Sequence, residues 1–471
     1  MRKGGKAYFA ANLVSQASAL ARYVILARLL GEHELGLAAM LILTAQFFET
    51  VSDTGSDRFI VQDAAGDTPV MQGVVQMVLA ARGALIALAL ALTSGLLANL
   101  YGQPDLTAPL IAIGLAPLIA GFVHLDMRRA QRIQDFRPES LAMLVSETLS
   151  FVATSVAAYI TRDHTAVIYG LVLRSVALVT ISHLTAARPY RWAFGKPEAM
   201  QFSVFAMPLF LNGLLLFIGG QGDRLVVASG LGPAALGQYS AVLLLAYYPA
   251  TMMARFLTGI HLPQVSASRH ADETLETARW KLASHTIILS AGIVVGFTVV
   301  APIFVPLLYG PSFDQPLQVI ALMAVLQAFR FVRFWPTTVA IGSGRSLIVM
   351  LNNVARMGGL PIAILAYLSS KTLEAVIGGF ILGELMALAV ALGLLWREGR
   401  LRLRAELRRI ILLLAISGST LVAAWTLQEG KLLEAAICGG GTILTAIAIY
   451  LSERATFTEA WAWIARRLKR A

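Results

Sequence analysis

The sequence predicts an all-α fold: a polytopic membrane protein of about fourteen transmembrane helices, in two pseudo-symmetric six-helix lobes with two further helices behind them. Three observations carry that expectation. Of 471 residues, 57% are apolar and 14% charged, too few charges for a conventional water-facing surface. The apolar residues fall in fourteen runs, each long enough to cross a bilayer. A short motif of helix one and two also returns in helix seven and eight.

The runs lie near 8–30, 35–52, 71–98, 107–126, 139–160, 165–187, 201–228, 235–259, 283–308, 316–340, 348–368, 373–396, 410–428 and 432–452. At 1.5 Å per residue, crossing about 30 Å of hydrocarbon takes about 20 residues in a helix. Barrel strands would instead alternate over about ten residues, so these continuous runs are helices.

The loops give an independent check. If the N-terminus is cytoplasmic, the basic clusters Arg2–Lys6, Arg128–Arg137, Arg188–Lys196, Arg269–Lys281, Arg397–Arg409 and Arg454–Arg470 all fall inside. The opposite loops carry only Arg162, Lys371 and Lys431. That asymmetry predicts an inner-membrane protein with both termini in the cytoplasm. It also accounts for the net charge of +11, so no nucleic-acid partner is implied. The single cysteine, Cys438, lies in an apolar run and reads as a small hydrophobe, and no metal centre or cofactor is expected.

Both ends carry a second reading. Arg2 to Lys6, an apolar run and Ala19-Leu20-Ala21 have the form of a signal peptide. Apolar sequence continues past Arg22, and removing the helix would spoil the loop alternation, so a first span is expected. The tail 457–471 sets Trp461 and Trp463 beside Arg466, Arg467, Lys469 and Arg470, the composition of a helix lying on the inner membrane surface.

Leu30, Gly31, Leu35 and Gly36 match Leu231, Gly232, Leu236 and Gly237 at an offset of 201. A weaker echo pairs Tyr101-Gly102 with Tyr309-Gly310, each followed by an Ala/Gln-Pro-Leu step at Pro109 and Pro316. Six helices per copy is an even number, so both copies share one orientation about an axis along the membrane normal. The expected division is a first lobe over 1–198, a second over 199–400, two added helices over 401–456 and the basic tail over 457–471.

The strings Asp223-Arg-Leu-Val-Val-Ala-Ser-Gly-Leu-Gly-Pro-Ala-Ala-Leu-Gly-Gln-Tyr-Ser240, Leu26-Ala-Arg-Leu-Leu-Gly31 and Ser52-Asp53-Thr54-Gly55 through Val61-Gln62 resemble the polysaccharide-biosynthesis flippases. These Wzx-type exporters belong to the superfamily of the lipid II flippase and the multidrug and toxin extruders. The resemblance implies a two-lobed, V-shaped transporter moving an undecaprenyl-diphosphate-linked oligosaccharide from the cytoplasmic to the periplasmic leaflet. As partners it implies membrane lipids, the lipid-linked oligosaccharide, and polysaccharide polymerase and export machinery. Gly222 departs from the pattern, standing before the acid where a polar or bulky residue is usual.

The charges inside the runs point to chemistry without that resemblance. Each costs about 2.5–3.5 kcal/mol on insertion scales, so each should face a cavity or a partner. Nine are arginines and none is lysine: Arg22, Arg28, Arg82, Arg174, Arg224, Arg255, Arg330, Arg333 and Arg356. Arg82 and Arg174 come nearest mid-membrane by sequence. A guanidinium keeps its charge on burial and its fork suits bidentate phosphate binding, so an anionic phosphate head group is the expected ligand class.

The expected substrate-binding set is Arg22, Arg28, Asp223, Arg224, Arg255 and Arg330 around a cavity that opens alternately to either side, with Arg82 and Arg174 beside it. Plainer roles stand next to these. Arg28, Arg224, Arg255 and Arg333 can snorkel to the interface. Asp223 can pair with Arg224, or with Arg22 on the repeat-related helix. Glu49, Glu147 and Glu384 are ion-coupling candidates or structural partners of Arg82, Arg174 and Arg356, and Pro208, Pro249 and Pro361 are expected to bend helices.

A doubly charged diphosphate moving outward gains about 2.3 kcal/mol per charge per 100 mV, so no nucleotide motor is required. No Walker-type phosphate loop is present. An ion-coupled drug or metabolite exporter is the alternative, though basic spans with few acids suit a cationic drug poorly. A membrane glycosyltransferase or polymerase is a third reading, and it lacks the sizeable outer loop such enzymes need.

Overall fold

The computed structural model of the chain describes residues 5–268, 272–399, 401 and 403–458, and every regular element among them is helical. The expected surface helix of the tail lies outside the described residues beyond Thr458.

In chain order the helices are α1 (Gly5–Val51), α2 (Ser56–Gln62), α3 (Pro69–Leu100), α4 (Thr107–Ile113), α5 (Leu115–Ala120), α6 (Asp126–Arg132), α7 (Arg137–Thr161), α8 (Ala166–Leu184), α9 (Lys196–Gly230) and α10 (Gly232–Ala267). They continue as α11 (Asp272–Gly292), α12 (Thr298–Tyr309), α13 (Leu317–Val332), α14 (Phe334–Gly342), α15 (Ser346–Met357), α16 (Gly359–Ser370), α17 (Leu373–Arg397), α18 (Leu403–Gln428) and α19 (Leu432–Ser452).

Among the described residues, twelve helices are long and apolar enough to cross a membrane. Thirteen of the fourteen expected runs map onto these twelve helices, and the fourth falls on a shorter apolar pair. α1 holds the first two runs, joined through Gly31, and the shorter apolar pair α4 and α5, spanning 104–120, holds the fourth. Gly31 keeps α1 from being one straight rod: its φ of 77° and ψ of −179° lie in a region essentially reserved for glycine. Pro208 and Pro249 lie inside α9 and α10, and a five-residue π-helical turn, Ile293–Phe297, joins α11 to α12. Such turns and prolines interrupt the regular helical hydrogen bonding.

The chain forms two compact units, one of Met1–Ala241 with Leu308–Ser312 and one of Val242–Leu307 with Phe313–Ala471. Within the first unit, helices meet through small residues. A β-carbon added at Gly83 would lie 2.4 Å from the Pro117 carbonyl oxygen, and one at Gly121 would lie 2.8 Å from that of Leu79, so α3 and α5 touch backbone to backbone. The second unit is centred on a large apolar core in which Trp335, Phe329 and Leu413 are fully or almost fully buried.

Polar contacts between connections reveal the sidedness within each unit. In the first, Arg128 pairs with Asp57 at 2.8 Å and Arg188 with Asp67 at 3.3 Å, joining the connections after spans two, four and six on one side. On the other side His164 meets Glu34 at 2.8 Å, joining the connections after spans one and five. In the second unit, Arg345 pairs with Glu398 at 2.9 Å on one side, while Gln318 reaches Glu374 and Gln428 on the other. Connections therefore alternate between two faces, as a chain of membrane-crossing helices requires.

Candidate functional site

Helix one and helix seven each bring a charged pair into the first unit. Arg22 donates from Nη1 to the Ser150 hydroxyl at 2.6 Å, so α1 is tied to α7. Arg28, near the end of the first span, is exposed and donates from Nε to the Leu308 carbonyl at 2.8 Å. Asp223 is fully buried, and its Oδ2 accepts from the equally buried Tyr239 hydroxyl at 2.6 Å. Its neighbour Arg224 turns instead to Gln221, at 3.2 Å.

Arg82 and Arg174 line one cleft of the first unit, about 400 Å³ in volume, together with Glu49. Arg82 donates from Nε to Ser52 at 3.0 Å and from Nη2 to the backbone carbonyl of Glu49 at 2.6 Å. A guanidinium there meets one of the last carbonyls of α1, where the helix dipole favours positive charge. Arg82 thus sits level with the end of the second span, although it lies thirteen residues into its own helix. Arg174 pairs from Nε with Glu147 at 2.7 Å, joining α8 to α7. The Glu49 carboxylate makes no ion pair among the described residues.

The second unit holds the densest charge. Glu384 on α17 is 2% exposed at its side chain and receives three guanidinium groups: Arg356 at 2.6 Å, Arg333 at 2.8 Å and Arg330 at 3.6 Å. Each approach is through Nε. The terminal nitrogens of Arg333 and Arg356 make no hydrogen bond among the described residues, and these side chains stay 15% and 13% exposed. Three guanidinium groups thus converge on one carboxylate. Arg255, also in this unit, is exposed and forms no ion pair among the described residues.

A family model described as polysaccharide biosynthesis protein matches residues 25–318, more than half of the chain. The chain belongs to that family. It is a multi-pass membrane protein. It is 23% identical over 340 residues to the lipopolysaccharide biosynthesis protein WzxC of Escherichia coli (strain K12), covering 70% of this chain and 67% of that one. It is 25% identical over 305 residues to the succinoglycan biosynthesis transport protein ExoT of Rhizobium meliloti (strain 1021), covering 64% of this chain and 61% of that one. The chain thus spans less than two thirds of ExoT. Among solved structures it resembles the lipid II flippase MurJ in its inward closed conformation, with a TM-score of 0.67 at 12% identity over 97% of this chain and 99% of that one. At that identity the likeness is one of fold.

In this polysaccharide biosynthesis protein two of the sequence-level pairings occur as expected, Arg174 with Glu147 and Arg356 with Glu384. Sequence reasoning left Arg333 and Arg356 out of the binding set. The signal was present, since Arg330 and Arg333 lie three apart and so share one helix face. Tyr239, the partner of Asp223, had no signal beyond lying sixteen residues along the most specific string.

Proposed function

We propose that this polysaccharide biosynthesis protein carries an undecaprenyl-diphosphate-linked oligosaccharide from the cytoplasmic to the periplasmic leaflet of a bacterial inner membrane, by alternating access, with both termini cytoplasmic. The family supports the pathway, and one relative is by name a transport protein. In each unit the cytoplasmic face is the one richer in basic connections, carrying Arg128 and Arg188 in the first unit and Arg345 in the second.

The observation that carries the reading is the cluster of Arg330, Arg333 and Arg356 on Glu384. A diphosphate joined to lipid at one end and sugar at the other carries two negative charges, which suit a cluster of guanidinium groups. The Nε atoms of Arg333 and Arg356 are held by the carboxylate, so the outer edges of these two guanidinium forks remain for phosphate oxygens. In the first unit, Arg22, Arg28 and Arg224 supply further cationic contacts for the cargo. Glu384 is the anion that organises the cluster, since three guanidinium groups leave no room for a coupling cation beside it.

The drug-exporter alternative needs an acid-rich pocket for its cation, and the acids of this chain's spans are mostly engaged by arginine. The test is surface glycan export in a strain lacking the native gene. Arg333→Ala and Arg356→Ala, at normal membrane abundance, are expected to abolish it. Normal export by both variants would refute the assignment.

A further inference from the structure

The cleft of the first unit differs from the second-unit cluster in its charge balance. It is bounded by the end of α1, by α3, α5 and α8, and by α2 and α6, which carry Asp57, Arg58 and Arg128. Arg128 is already spent between Asp57 and Glu139. The Asp53 carboxylate accepts from the Gly55 amide at 2.9 Å. What remains is of both signs.

Arg82 has one terminal nitrogen, Nη1, without a protein partner among the described residues, and Arg174 has both of its own. Arg58 stands exposed at the rim, and Glu49 presents a carboxylate that forms no ion pair among the described residues. A dianion in this cleft would face the Glu49, Asp53 and Asp57 carboxylates. A purely cationic ligand would face Arg82 and Arg174. Only a ligand bearing an anion and a cation close together meets both sets. The walls add an apolar surface, Leu79, Ile86, Val123 and Leu178 among them, that suits the glycerol and upper acyl portion of a lipid.

We propose that the first-unit cleft binds a phosphoethanolamine head group, its phosphate on Arg82 and Arg174 and its ammonium on Glu49. The cleft volume of about 400 Å³ falls within the range of small-molecule sites. Such a lipid is a resident of this unit, distinct from the transported cargo, and the site stands whether or not the chain is a flippase.

The experiment is native mass spectrometry of the delipidated full-length protein titrated with short-chain phosphatidylethanolamine, phosphatidylglycerol and phosphatidylcholine. One phosphatidylethanolamine is expected to bind about tenfold more tightly than either of the others, a difference of about 1.4 kcal/mol. Phosphatidylglycerol lacks the cation, and the trimethylated head group of phosphatidylcholine has no N–H for Glu49. Glu49→Gln is expected to erase the preference, and Arg174→Gln to weaken all three lipids together. Glycerophosphoethanolamine is the soluble arm: competition by it assigns the affinity to the head group, and its failure to compete assigns part of it to the chains. Equal binding of the three lipids to the unaltered protein overturns the proposal without any variant, as does a preference that survives Glu49→Gln.

Discussion

Gly36 packs directly on the backbone of Pro233: a β-carbon at Gly36 would lie 1.7 Å from the Pro233 carbonyl oxygen. The repeat-related residue repeats the contact in reverse, since a β-carbon at Gly237 would lie 2.1 Å from the Glu32 carbonyl oxygen. Residues 32 and 36 become 233 and 237 at the offset of 201, so the two copies of the motif meet through equivalent atoms. Gly31 and Gly232 also share a positive φ, 77° and 85°. Gly36→Ala and Gly237→Ala are each expected to destabilise the protein by about 1–3 kcal/mol or more, because the obstacle is backbone and cannot turn aside. Gly220→Ala, in a helix with nothing within 4 Å, is the control and should be neutral or slightly stabilising. Melting midpoints in detergent read the difference.

The arginines on Glu384 should respond to shape as well as charge. Arg333→Lys and Arg356→Lys keep the charge and lose the fork, so diphosphate binding is expected to weaken about tenfold or more in each, and further in the alanine variants. Titration of purified protein with a short-chain polyprenyl diphosphate measures it. Full affinity in the lysine variants would mean that only net charge matters.

Much of this was legible from the residues. Thirteen of the fourteen apolar runs lie in helices long enough to cross a membrane, because only a helix can satisfy its backbone in lipid and run length marks such a helix. The repeat was legible because its glycines are fixed by close approach and by positive φ, which no other residue tolerates as well. Partner choice was less so. Arg82 sits at the end of α1 and not midway by depth, since α3 begins well before the level at which α1 ends. The convergence of Arg330, Arg333 and Arg356 brings together three helices whose sequence separations carry no hint of one shared carboxylate.

Acid should loosen the basic face of the first unit. Burial alone would raise the Asp126 carboxyl, but the Arg129 guanidinium and the Ala187 amide hold it below the usual carboxylate range. A lowered value in the folded state adds stability above about pH 4 that is lost as pH falls through the folded value. The melting midpoint is expected to fall more steeply with acid in the unaltered protein than in Asp126→Asn, and equal slopes would contradict this role.

The last two helices, α18 and α19, are fastened by buried charge. Arg409 donates to Glu453 at 2.8 Å, to Glu406 at 2.7 Å and to Ser284 at 3.0 Å, which ties α18 and the end of α19 to α11. Removing one partner of such a pair costs about 3–5 kcal/mol. Glu453→Ala is expected to destabilise the protein by an amount of that order, read as a lower melting midpoint, and to open the N-terminal end of α18 to protease, whereas Glu429→Ala, on an exposed pair with Lys431, should do neither.

Purified protein reconstituted with a defined undecaprenyl-diphosphate-linked oligosaccharide tests transport most directly, by following exposure of the sugar at the opposite leaflet. Translocation is expected in the unaltered protein, faster when an imposed potential drives negative charge across, and lost in Arg333→Ala with Arg356→Ala. Translocation at an equal rate in that double variant, or none in the unaltered protein under any gradient, would contradict it.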